Sequence, residues 1–266
     1  MQGPILAMPA PMAAAELLVR ADLAPYTGAQ VRFAIAAWPL RAAQELRSAL
    51  IFRALARAAR SARIAEPWPA RFSAASRDEV RHARLCADIG RRLGASVPLY
   101  DARLVQARLA RLPDPLLRAA ALLLVEVAMG ESVSMCLFRA GRRFSVEPLT
   151  RAALTVIVAD EVRHQRLGWT GMAAVWPLLS ELQRTLLQSE ASSALAAFEQ
   201  QIAAPALDRL RQAEDFDPAH AALGVLAPAA RVEAFYFAIE RLVLPRLDRL
   251  GLDGKLAWKE RYSVAL

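Results

Sequence analysis

The five-residue word Asp-Glu-Val-Arg-His occurs twice in this chain, at residues 78–82 and again at 160–164, each time inside a long stretch with helical apolar spacing. Three helical steps turn through about 300°, so in each copy the glutamate shares a helix face with the histidine three residues on. A lone Glu-x-x-His is ordinarily a solvated pair. Here two copies use two of the chain's three histidines, and both lie inside apolar runs. That pattern requires two helices to turn carboxylate and imidazole toward a shared interior, which is metal-ligand geometry.

Length and composition limit the architecture to one large helical unit. The 266 residues are 56% hydrophobic, enough to bury a substantial core. Ala, Leu and Arg dominate, and no stretch alternates with period two, so strands should be absent or trivial. The net charge of +8 is spread along every segment and mixed with acids, which argues against nucleic acid as a partner. Apolar runs such as residues 119–125 fall short of the roughly 20 residues that span a bilayer, so no membrane is expected. The N-terminus lacks a signal-peptide pattern, because Pro4, Pro9 and Pro11 interrupt it and Arg20 is its first basic residue. Cys86 and Cys136 make no disulfide framework and fit helix interiors in a reducing compartment, so a cytoplasmic location is expected.

Prolines and caps divide the chain. Residues 1–38 read as an irregular lead-in with a short helix around 13–22. A core follows over 39–177, and further helices over 178–266 pack on it as part of the same domain. Pro39 reads as the first-turn proline of a helix reaching Arg63. The Pro67-Trp68-Pro69 cluster starts a second helix that ends near Leu93. A connection of about twenty residues, with an amphipathic piece over 101–111, is long enough to cross a bundle. Asp114-Pro115 caps a third helix ending near Gly141, and a fourth runs from about Glu147 to Val175. Ser180 and Gln183 have capping-box spacing and open a helix to about Ala203. Another runs from Pro228 to Gly251, with a kink at Pro245. The order of hairpin, long link and hairpin is that of an all-α four-helix bundle with one crossover and additional C-terminal helices.

A di-metal site in such a bundle takes Glu-x-x-His from two helices and one Glu from each of the others. Glu79 with His82 and Glu161 with His164 supply the first kind. Glu45 is the only acid in the core stretch of the first helix. Its midpoint with Glu79 falls at residue 62, near the expected turn, as equal height on antiparallel helices demands. The third helix offers Glu126 or Glu131, about 140° apart on an α-helix, so both cannot point inward equally. Their midpoints with Glu161 both fall in the next turn, so geometry leaves the choice open. Four carboxylates in an apolar interior would be prohibitively costly without cations. The mixed ligand set suits iron, or a manganese and iron pair.

On these residues the chain resembles the ferritin-like di-iron carboxylate superfamily over residues 39–175. Asp-Glu-x-Arg-His in both helices is similar to the di-iron oxygenases more than to storage ferritins. Glu45, Ser48 and Phe52 resemble a Glu-x-x-Ser-x-x-x-Phe spacing of smaller relatives, and Gly130-Glu131-Ser132 resembles their Gly-Glu-Thr ligand turn. The resemblance therefore favours Glu131, with Glu126 as runner-up. It also implies that Asp78 orients His164 and Asp160 orients His82, with Arg81 and Arg163 balancing the aspartates. The plainer reading of those four is a set of surface salt bridges.

The resemblance implies an O2-activating oxidase or oxygenase that holds two iron ions and oxidises a small organic molecule, served by an electron donor. No catalytic side chain beyond the metal ligands is expected, and a homodimer is compatible with this reading. One alternative is a ferroxidase or peroxide-consuming, rubrerythrin-like protein, although no Cys-x-x-Cys pair exists for a rubredoxin-type iron. Another is a helical interaction protein whose metal is only a staple. His220, beside Pro218, reads as a loop histidine. Phe52, Phe138 and Trp169 read first as core, and some of them as lining for a substrate pocket.

Overall fold

The computed structural model describes residues 5–6, 23–96, 100–101, 112, 114–212 and 218–262. The expected short helix at 13–22, most of the 101–111 piece and the side chain of His220 lie outside the described residues. Seven helices account for nearly all of what is described. The exception in kind is a two-residue antiparallel pairing of Ile5–Leu6 with Tyr100–Asp101.

Helix α1 spans Gly28–Ser61 and α2 spans Trp68–Arg92. The first begins well before Pro39, which corrects the boundary taken from that proline. Its true start is a capping box: the Thr27 side chain accepts from the Gln30 N–H, and the Gln30 side chain accepts from the Thr27 N–H. Pro39 sits inside the helix, buried, where the missing N–H costs one backbone bond and the ring packs toward Gly90. Ser76 Oγ donates to Ala49 O at 2.8 Å, tying α1 to α2 through a buried contact.

Helix α3 covers Pro115–Phe144 and α4 covers Pro148–Val175. Their N-caps are Asp114 and Glu147, each accepting two backbone N–H groups of the first turn. Over Leu122–Met129 α3 widens into a π-helix. By length and composition α3 could cross a membrane, yet 83% of its apolar window is buried inside the protein. It packs against α1, α4 and the C-terminal helices.

Helix α5 covers 181–211, starting at the expected Ser180–Gln183 capping box, and α6 covers 228–250. Each carries a π-helical stretch, Glu199–Ala203 and Ile239–Val243, and the second lies immediately before Pro245. Gly251 closes α6 in the left-handed conformation at φ 99°, and α7 follows at Gly254–Lys259. A main core of Phe52, Phe72, Leu123, Leu187 and Phe235 joins the bundle to these helices.

Candidate metal centre

Apolar periodicity sets each bundle helix with its acidic face inward, and the inward residues meet halfway along. Glu45, Glu79, His82 and Glu161 place one ligand atom each within 4.8 Å of one another, and so do Glu79, Glu131, Glu161 and His164. Glu79 and Glu161 belong to both groups. All six side chains are buried, and the two imidazole rings are 5.8 Å apart. Phe52 covers the His164 ring at 5.3 Å.

His82 turns Nδ1 toward the centre, 3.3 Å from Glu45, 3.5 Å from Glu79 and 3.4 Å from Glu161. Its Nε2 faces Asp160 at 3.0 Å. His164 repeats the arrangement, with Nδ1 2.6 Å from Glu79 and Nε2 3.4 Å from Asp78. An Nε2–H given to the aspartate leaves Nδ1 bare toward the middle, the tautomer a metal requires. Arg81 bonds both Asp78 and Asp160, and so does Arg163. The aspartates thus face the histidines while also meeting the arginines, so the surface-salt-bridge reading describes only their outer side.

The inward atoms are the test of what belongs there. Both oxygens of Glu79, Oε2 of Glu161 and Nδ1 of each histidine are buried without a hydrogen bond among the described residues. Such orphans are costly unless something outside the protein satisfies them. Burial pushes the Glu79 carboxyl up, and burial with the neighbouring Glu161 and Glu79 carboxylates holds Glu131 well above the usual range. Burial opposes the charging of both histidines, yet the carboxylates around them raise them, His164 to about 9. Carboxylates that would otherwise take up protons, facing bare imidazole nitrogens, fit two divalent cations.

Glu126 lies elsewhere. It accepts from Arg47 Nη2 at 2.9 and 3.1 Å, outside both groups. It nevertheless lines the same cavity as Glu131, about 270 Å³ in volume, which opens on Glu45 and Glu161. An α-helix would have set the two glutamates far apart. The π-helical stretch supplies the difference, because i→i+5 bonding brings residues five apart closer to one face. Phe52 and Phe138 line this cavity, while Trp169 instead donates its Nε1–H to Ser132 Oγ at 2.9 Å. Arg47, Gln44, Gln201 and Arg231 add to the polar lining. The sequence reading missed them, since arginine and glutamine on a helix carry no spacing signal of their own.

An antiparallel four-helix bundle that gathers four buried glutamates and two histidines at its middle defines a ferritin-like di-iron carboxylate protein. Residues 47–243 match the family described as p-aminobenzoate N-oxygenase AurF. That span is most of the chain, and the chain belongs to this family of di-iron oxygenases. It is also similar in fold to a solved structure described as a protein with aldehyde deformylating oxidase activity from Synechococcus. The TM-score is 0.59 at 16% identity, over 87% of this chain and 96% of that one. Among curated protein sequences none matches.

Proposed function

We propose that Glu45 and His82 hold one iron, Glu131 and His164 the other, and that Glu79 and Glu161 are shared between them. The observation that carries this reading is the set of orphaned atoms, all aimed into the space between the two overlapping groups. Bound there, the iron pair would supply O2 activation. The chain's own residues do the rest: Asp78 and Asp160 fix the histidine tautomers, and Phe52 with the helix walls keeps bulk water from the centre. All six side chains come from one chain, so a homodimer would not be needed to complete the site. The two free, buried cysteines suit the reducing cytoplasm proposed as its location.

The substrate we propose is a small amine that also carries an acidic group. The family is described by its N-oxygenation of p-aminobenzoate, and the cavity here suits a similar polar molecule. Arg231 lines it, donates Nε–H to Ile202 O at 3.1 Å, and has no carboxylate ion pair among the described residues. Burial and the nearby Arg209 hold it below the usual arginine range, so an anion beside it would be stabilising. Gln201 and Arg231 also line a second cavity of about 280 Å³ that holds Arg209, which gives an anion a cationic way in. N-oxygenation of an amine to a hydroxylamine consumes O2, two electrons and two protons and releases water, so an external electron donor is part of the proposal.

Iron-loaded protein, a chemical reductant and a panel of aromatic amines would test it through oxygen uptake and product mass. Uptake should depend on the amine and on both irons, and Arg231→Gln should raise KM for an amino acid substrate but not for its neutral amide. Iron oxidation that continues far beyond two irons per chain, with no amine oxidised, would favour the storage reading instead.

A further inference from the structure

We infer that the outer face of α2 and α4 is the docking surface for an acidic one-electron carrier protein that reduces the metal centre. This rests on the reading that the six side chains hold iron. The observation is a segregation of charge invisible in the linear sequence, where acids and arginines alternate. On α2 and α4 the acids Asp78, Glu79, Asp88, Asp160 and Glu161 are all buried or half-buried. Arg71, Arg77, Arg81, Arg84, Arg163 and Arg166 on the same two helices are all exposed. The helical repeat that turns each ligand inward turns each arginine out.

The position of this face matters as much as its charge. Each histidine's outer nitrogen leads to it through one aspartate: His82 Nε2 to Asp160 at 3.0 Å, and His164 Nε2 to Asp78 at 3.4 Å. Arg81 and Arg163, which hold those aspartates, are about half exposed. A groove of about 520 Å³, lined by Trp68, Arg71, Arg163 and Arg166, reaches Asp78 and His164 themselves. A carrier seated here is separated from both candidate irons by one imidazole and one carboxylate. The substrate cavity opens between α1, α3 and α5, so electron entry and substrate entry do not compete.

The chemistry is a pair of one-electron steps. Each reduced carrier is oxidised as one ferric ion becomes ferrous, and two encounters prepare the pair for O2. Charge complementarity identifies the partner as acidic, and an arginine-rich patch with half-exposed Val156 and Val162 on α4 matches a protein interface. The backbone of a nucleic acid would satisfy the arginines but has no use for the route to the histidines.

An acidic plant-type [2Fe–2S] ferredoxin serves as the probe. Calorimetry should show it binding both metal-free and iron-loaded protein, with affinity falling on the order of tenfold or more between about 50 and about 500 mM salt. The triple variant Arg77→Glu, Arg84→Glu, Arg166→Glu, which spares the aspartate-bound arginines, should lower binding and ferredoxin-driven reduction about tenfold or more. Reduction of the same variant by photoreduced deazaflavin, a small uncharged donor, should match that of the parent. Equal ferredoxin binding and reduction in parent and variant would overturn the inference. So would preferential binding of duplex DNA or anionic vesicles, or ferredoxin binding without electron transfer where deazaflavin does reduce the centre. If deazaflavin produces no ferrous signal, the iron reading itself fails, and loss of ferredoxin binding in the variant still decides the surface.

Discussion

Glu126 and Glu131 are five residues apart, line one cavity and are both buried, yet their surroundings assign them different work. Arg47 lies 2.9 Å from the first, so its charge already has a partner. Burial first, and the carboxylates around it next, push the second well above its usual range, and no cationic side chain pairs with it among the described residues. A cation is therefore required at Glu131 and redundant at Glu126. Glu131→Ala should bring iron content from two per chain to about one, whereas Glu126→Ala should leave it near two. Metal analysis after anaerobic loading reads the difference, and equal losses would remove Glu131 from the proposed ligand set. Spacing could not separate these residues, because the 140° argument assumes a uniform α-helix. Only the Gly130-Glu131-Ser132 resemblance leaned toward Glu131. In contrast, the repeated word already named four of the six side chains that meet, since Glu-x-x-His fixes its own geometry within one turn.

At the scale of elements, the approach of α3 to α4 is set by a glycine. A Cβ on Gly168, one turn beyond His164, would lie 2.6 Å from the Ala128 backbone, inside the π-helical stretch. Backbone cannot give way as a side-chain tip can, so Gly168→Ala should cost about 1–3 kcal/mol in denaturant unfolding and loosen iron binding as the helices separate. Unchanged stability would mean that the two helices do not pack this closely. The caps at Asp114 and Ser180 were legible because capping is local chemistry. Thr27–Gln30 was legible in principle, but Pro39 gave a competing start signal and masked it. The three π-helical stretches left no trace in hydrophobic spacing, which tolerates one extra residue per turn. One of them carries Glu199, which accepts from Tyr236 at 2.7 Å, from Arg261 at 2.7 Å and from Tyr262, joining α5 to α6 and to the residues after α7. Burial alone would raise this carboxyl, but those bonds outweigh it and hold it below its usual range. Its stabilisation is therefore present above the unfolded-state value and is lost as pH falls through the lower folded one. Glu199→Gln should cost about 1–3 kcal/mol near neutrality. Its Tm deficit against the parent should shrink below about pH 4. A deficit independent of pH would show that charge at Glu199 contributes nothing.

For the whole molecule, the centre links folding to protons and metal with the opposite sign. Without metal, Glu79 and Glu131 are raised by burial, and His164 is raised to about 9 by carboxylate hydrogen bonds that outweigh burial. Each of these groups binds its proton more tightly folded than unfolded. Their contribution is therefore fully present below the unfolded values and is lost as pH rises through the folded ones. Iron would replace those protons with fixed charge and remove the dependence. Chelator-treated protein should thus melt at progressively lower temperature between about pH 6 and about pH 9, while the loaded protein melts higher and nearly independently of pH over that range. The gap between the two curves should widen with pH. Metal binding competes with protons only if the metals sit on these groups, so parallel curves would place the iron elsewhere. The word repeated at 78–82 and 160–164 suffices to place two ligand helices, but this coupling depends on charges brought together from four helices, and no single stretch of sequence holds it.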